Sequence, residues 1–173
     1  MIILIAGSTH TGKTLLAQKL LEKYKFPYLS IDHIKMGLIR GGICKFNAES
    51  SDKELTPYLW NIVKEIIKTA IENGQNLIIE GCYIPFDYKE YFSDKYLSNI
   101  KYLCLIFSKS YILNNFDKIT ENQNVIEKRT DDNYCTKELM IRENTENLKL
   151  CKENSCRYVL IDNEYNIEFQ LVL

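Results

Sequence analysis

Five short apolar runs punctuate the chain, at 2–6, 27–31, 76–80, 101–107 and 157–162, and stretches with a helical period lie between them. Such alternation predicts a parallel sheet with helices on both faces. Over 13–24, Leu16, Leu20 and Tyr24 recur at helical spacing, and Pro27 closes the segment. The clearest helix is expected over 57–73, where Tyr58, Leu59, Ile62, Val63, Ile66, Ile67, Ala70 and Ile71 form one apolar stripe. Thr56 then reads as its N-cap and Pro57 as its first residue, with Leu55 and Trp60 set for a hydrophobic staple and Gly74 as the stop. The polar stretch from Gly41 to Glu54 holds Gly-Gly and Ser-Ser pairs without a clear period, and it reads as a mobile loop. A second polar region, about 120–137, is rich in Asn, Asp, Glu and Lys and separates two further helical patterns. Internal repeats and low-complexity tails are absent from the sequence.

Directly behind the first apolar run, Gly7-Ser8-Thr9-His10-Thr11-Gly12-Lys13-Thr14 fits the phosphate-binding pattern G-x-x-x-x-G-K-[ST]. Strand, loop and helix in that order are what the chemistry requires. The glycines let successive N–H groups turn inward toward a polyphosphate, and the following helix adds its positive N-terminal dipole. Lys13 is expected at the β- and γ-phosphates and Thr14 at Mg²⁺, so ATP and Mg²⁺ are the expected cofactors.

In an open parallel sheet, ligands sit beyond the carboxyl ends of the strands, so the residues after each run should converge on one crevice. Asp32 follows the second run and Glu80 ends the third. One acidic group is needed near Mg²⁺ and another near the attacking hydroxyl. Asp32 is the preferred general base. Glu80 ends a Walker-B-like run, where most such strands carry Asp, and is a candidate for the Mg²⁺ shell or for the base. Arg40 is a candidate for holding an anionic group of the substrate. Lys128 and Arg129 give the polar region the character of a lid that closes over the transferring phosphoryl group, Arg129 foremost, with Arg142 a weaker second candidate. His10 and His33 receive no catalytic role, because this chemistry needs no imidazole.

Composition narrows the partners. The 173 residues fit a single domain over 1–173, with an acceptor-side loop and helix over about 33–74 and the lid over about 120–137. A net charge of −1, from 22 basic and 23 acidic residues, leaves no footprint for nucleic acid or an anionic membrane. The expected partners are therefore ATP and a small-molecule acceptor. The six cysteines form no C-x-x-C pair and no zinc-spaced cluster, as expected of core thiols in a reducing cytoplasm. No secretory leader or membrane span is read in the sequence, which again points to a cytoplasmic protein.

Taken together, GSTHTGKT, the turn LSIDHIKMGLIR, the turn LIIEGCYIP and a basic segment before the last strand resemble the P-loop small-molecule kinases of the adenylate kinase type over nearly the whole chain. The second and third motifs look closest to bacterial proteins labelled adenylate kinase or 2-phosphoglycerate kinase-like, and more distantly to chloramphenicol phosphotransferases and zeta toxins. The resemblance implies a three-layer α/β P-loop NTPase fold with a five-stranded parallel sheet. It also implies transfer of the γ-phosphate of Mg-ATP to a small metabolite such as a nucleotide or a phosphorylated hydroxy acid. Adenylate kinases usually carry a Gly-x-Pro-Gly-x-Gly-Lys loop and an Asp-Gly-Phe-Pro-Arg turn. Here Glu80-Gly81-Cys82-Tyr83-Ile84-Pro85 runs into Phe86, so the arginine that holds AMP in that family is missing. A P-loop regulatory ATPase and a non-catalytic nucleotide-binding protein are the alternatives. No Asn-Lys-x-Asp or Asp-x-x-Gly motif supports a guanine-nucleotide switch.

Overall fold

The computed structural model describes residues 1–47, 50–121, 135–165 and 167. Strands β1 (Ile2–Gly7), β2 (Tyr28–Ser30), β3 (Leu77–Glu80), β4 (Ile100–Phe107) and β5 (Tyr158–Ile161) form one sheet in the order β2-β3-β1-β4-β5. Every pairing is parallel. The chain therefore starts at the centre, builds one half of the sheet outward and back, and then builds the other. Ligand crevices of open sheets form at that reversal, beyond the end of β1.

The crossovers are helical: α1 (Lys13–Tyr24), α2 (Ile31–Arg40), α3 (Asp52–Glu72), the short α4 (Asp94–Leu97), α5 (Lys109–Glu121) and α6 (Lys137–Glu153). Strand β1 is buried along its whole length because both faces of the sheet are covered. Its residues alternate between two cores: Ile2, Leu4 and Ala6 meet Leu59, Val63 and Ile67 of α3, whereas Ile3 and Ile5 meet Leu16, Ala17 and Leu20 of α1. A third cluster of Phe107, Tyr111, Ile112, Met140 and Ile161 joins α5 and α6 to the ends of β4 and β5. None of the six cysteines is in a disulfide. Among the described residues, no helix is long and apolar enough to cross a membrane.

All five expected strands are present, with β2 shortened because Ile31 already opens α2. The start of α3 departs from expectation. The helix begins at Asp52, not Pro57, and its N-cap is Ser51, not Thr56. The Glu54 carboxylate accepts from the Ser51 backbone N–H at 3.3 Å and from its hydroxyl at 2.7 Å, the reach-back half of a capping box. Residues 52–54 thus leave the expected loop and join the helix, and Leu55 and Trp60 are core residues on it, each 2 % exposed. Pro57 sits in the second turn, where its missing N–H would have faced the carbonyl of Lys53, close to the exposed helix start. At the other end Gly74 does act as the stop: with φ of 65° it lets its own N–H reach Ile71 and that of Gln75 reach Ala70, at 3.0 and 2.8 Å.

Candidate functional site

Strand β1 delivers Gly7 to the centre of the sheet's carboxyl edge. Its φ of 144° is one that L side chains rarely adopt, and a Cβ there would lie 2.6 Å from the Leu105 carbonyl and 2.7 Å from Thr11 Oγ1. The loop then closes on one acceptor. The Ser8 carbonyl receives the Thr11 hydroxyl at 2.8 Å and the Lys13 ammonium at 2.7 Å. Gly12, with φ of 81°, precedes α1 and offers no side-chain cap, so the first N–H groups of that helix are left to the loop. No acidic residue lies in that first turn to compete for them.

Two distant residues brace this loop from outside. Asn147 of α6 donates to the Ser8 hydroxyl at 3.0 Å. The Tyr165 hydroxyl donates to the Thr11 and Gly12 carbonyls at 3.2 and 3.3 Å, and burial holds its phenol well above the ordinary value. A Cβ on Gly12 would collide with that same phenol.

Lys13 and Glu80 are both buried, at 5 % and 2 % exposure. Burial alone would drive the Lys13 ammonium downward, but the Cys82 thiol, Glu80 and Asp32 around it prevail and hold it above its ordinary value. Thr14, the second residue of α1, donates its hydroxyl to Glu80 Oε1 at 3.4 Å. Cys82, just past β3, lies 3.8 Å from Thr9 of the loop and acts on the charge of Lys13. Its thiol is pushed up by burial and by Asp32 and Asp52, against the pull of Lys13.

Asp32 falls in the first turn of α2, close enough to Lys13 to act on its charge. Lys35, one turn on, binds Asp32 at 3.1 Å and donates to the Tyr83 hydroxyl at 2.8 Å. Tyr83 also feels Asp52 at the start of α3, and burial, Asp52 and Asp32 together raise its phenol. A polar chain Asp32–Lys35–Tyr83–Asp52 thus ties α2, the turn after β3 and α3 along one side of the crevice. Glu143 of α6 faces the same region. Burial and Asp52 lift its carboxyl, while Arg142 and Lys13 pull it down.

The structure brings Lys13, Thr14, Asp32 and Glu80 together with the loop Gly7 to Gly12. Arg40 is exposed in the last turn of α2, eight residues or about 12 Å along the helix from Asp32, and does not join them. Arg142 is exposed beside Glu143. Lys128 and Arg129, with most of the expected lid, lie outside the described residues. Sequence reasoning assigned no role to Lys35, Asp52, Cys82, Tyr83, Glu143, Asn147 or Tyr165. Lys35 stands one helical turn from Asp32, and Cys82 and Tyr83 stand two and three residues after Glu80; the other four carry no local signal.

The donor set fits a magnesium-bound nucleotide. Backbone N–H groups and an ammonium meet phosphate oxygens, and a hydroxyl beside a carboxylate is the oxygen pair a hard cation takes. Among the described residues no group of three or more His, Cys, Asp or Glu makes a metal cage. Mg²⁺ typically binds with few protein ligands and keeps several waters.

A family model described as Zeta toxin matches residues 1–99. No curated protein matches the chain by sequence. Among solved structures, a presumed kinase from Chloroflexus aurantiacus is similar with a TM-score of 0.56 at 15 % identity, covering 95 % of this chain and 88 % of that one. Deoxyadenosine kinase from M. mycoides gives 0.51 at 13 % identity, covering 94 % and 90 %. Shikimate kinase from Bacteroides thetaiotaomicron gives 0.50 at 14 % identity, covering 94 % and 86 %. Identities this low speak to the fold alone, and that fold is the α/β P-loop NTPase architecture expected from the sequence.

Proposed function

This chain belongs to the zeta toxin family, and we propose that it is an ATP-dependent phosphotransferase that moves the γ-phosphate of Mg-ATP to a hydroxyl of a small metabolite. The observation that carries this reading is one convergence: a buried, charged Lys13 in the loop and Asp32 on the neighbouring helix, within electrostatic reach of each other. Phosphoryl transfer needs positioning and charge neutralisation more than covalent chemistry.

Each residue then has a task. The loop N–H groups and Lys13 hold the phosphates, while Thr14 and Glu80 are the residues that would hold the cation. Bound there, Mg²⁺ neutralises phosphate charge and fixes the geometry of the chain. Asp32 accepts the proton of the acceptor hydroxyl as its oxygen forms the new bond to phosphorus. The bond from that phosphorus to the bridging oxygen breaks, and ADP leaves with the electron pair. Asp32 suits the base better than Glu80 does, because Glu80 is buried and engaged with Thr14. Lys35 fixes the orientation of Asp32. In this reading the whole of 1–173 acts as one P-loop kinase domain, with the acceptor side over about 33–74 and Lys128 and Arg129 on a lid. Arg40, away from the phosphates, is left for a remote part of the acceptor.

The test is incubation of the protein with Mg-ATP and a panel of hydroxyl-bearing metabolites, with mass detection of a phosphorylated product. A product that disappears in Asp32→Asn supports the proposal. ATP turnover stimulated only by a protein partner would replace it with a P-loop switch. Nucleotide binding without any turnover would leave a binding protein.

A further inference from the structure

Ser30 is the last residue of β2 and stands at the N-cap position of α2, with φ −83° and ψ 129°. Serine at such a position ordinarily turns its hydroxyl back to cap the helix. Here it does not: no side-chain cap is formed. Its Oγ is buried, in a residue only 1 % exposed, and has no hydrogen-bond partner among the described residues. A buried hydroxyl left this way costs stability, and its presence asks for a reason.

Register says where the hydroxyl points. Ser30 pairs with Glu80, and Glu80 with Ile5, in parallel ladders. Residues paired this way leave the sheet on the same face. That face is the α1 side, since Ile5, Ile78 and Tyr28 all pack with Leu16, Ala17 and Leu20, whereas Leu29 and Ile79 join the opposite core. The Ser30 side chain therefore leaves the sheet beside that of Glu80, its neighbour across one strand spacing of about 5 Å between backbones, on the side where Thr14 of α1 meets Glu80. The hydroxyl makes no direct bond to that carboxylate, and a shared water is what would join the two.

We propose that Ser30 belongs to the cation site: together with Glu80 it holds a water of the hydrated Mg²⁺ that enters with the nucleotide. The assignment rests on the Mg-nucleotide reading of the phosphate loop. Mg²⁺ keeps several of its waters, so a site of one hydroxyl, one carboxylate and one further oxygen behind the water suits it. The energetic sign is distinctive, because the residue serves the ligand at the expense of the fold.

Calorimetric titration of Ser30→Ala with ATP, once in Mg²⁺ and once in EDTA, tests this. The variant should bind ATP about tenfold more weakly in Mg²⁺ and with wild-type affinity in EDTA, the range expected for groups behind first ligands. Its melting temperature without ligand should equal or exceed the wild-type value. Equal Mg-ATP affinity in variant and wild type would overturn the proposal, as would equal losses with and without Mg²⁺ or a lower melting temperature of the unliganded variant. Wild-type binding that ignores Mg²⁺ would instead overturn the cation site itself, which keeps the two failures apart.

Discussion

The Gly7–Thr14 loop and the proposed acceptor side of the crevice meet at Lys13, yet they hold their shapes by different means. The loop is backbone: Gly7 and Gly12 at positive φ, the Ser8 carbonyl gathering two donors, and a helix start left open to a ligand. Its shape hardly depends on which charges surround it. The acceptor side is side chains from three elements, Asp32 and Lys35 on α2, Tyr83 after β3 and Asp52 on α3, each placed by its neighbours' charge. Losing one member there disturbs the rest. On the proposed reading the first half would hold the phosphates through backbone, whereas the second would hold the acceptor through adjustable side-chain contacts on the same frame.

If that division is right, substitutions should separate cleanly by ligand. Lys13→Ala should give the largest effect, because it removes the one charge the loop itself supplies: nucleotide affinity should fall about 100-fold, and turnover with it. Calorimetry with Mg-ATP measures this, and an affinity within threefold of wild type would remove Lys13 from phosphate binding. Asp32→Asn comes next and should act on the other half alone. Turnover should fall about 10²-fold while nucleotide affinity stays within a factor of about two. A matching loss of nucleotide affinity would mean that the two halves are one unit.

The same division explains how much was legible beforehand. Eight consecutive residues after an apolar run specify the loop, and the strands announce themselves as short apolar runs between helical periods, so that half and the fold could be read from local pattern. The braces on the loop could not: Asn147 and Ser8 are 139 positions apart, and Tyr165 and Thr11 are 154. Nothing in the local sequence of α6 distinguishes Asn147 from the polar residues around it. The start of α3 misleads for a different reason. Thr56-Pro57 imitates an N-cap and first residue, while the capping pair Ser51 and Glu54 sits five residues earlier in a stretch that looks featureless. Pro57 gives up the bond to the Lys53 carbonyl, yet the helix runs through it, so its presence marks no boundary. The distance between Arg40 and the phosphate loop could not be read either, because α2, taken as a turn, is a full helix that carries Arg40 to its far end.

Within the acceptor half, Tyr83→Phe sharpens the picture at lower cost. Tyr83 is 4 % exposed, and the change deletes only the hydroxyl between Lys35 and Asp52. About 1 kcal/mol of stability should be lost, and the acceptor KM should rise several-fold. Nucleotide affinity should not move. Chemical denaturation and steady-state kinetics read the two effects separately, and an unaltered KM would take the polar chain out of acceptor binding.

The smallest effect should come from Glu143, and its sign carries the information. Burial and the nearby Asp52 hold this carboxyl above its ordinary range, against the pull of Arg142 and Lys13. With the folded value above the unfolded one, the folded chain keeps this proton the more tightly. The resulting stabilisation is complete below the unfolded carboxyl range and is lost as pH climbs through the folded value. At neutral pH the ionised group is therefore a small burden on the fold, as expected where carboxylates are crowded for a ligand. Glu143→Gln lifts that burden: the variant should melt about 1–2 °C above wild type at pH 7 and together with it near pH 4. Thermal melts at the two pH values make the comparison. A variant that melts lower at pH 7 would mean that the carboxylate's bonds support the structure, and the acceptor side would then be as self-supporting as the loop.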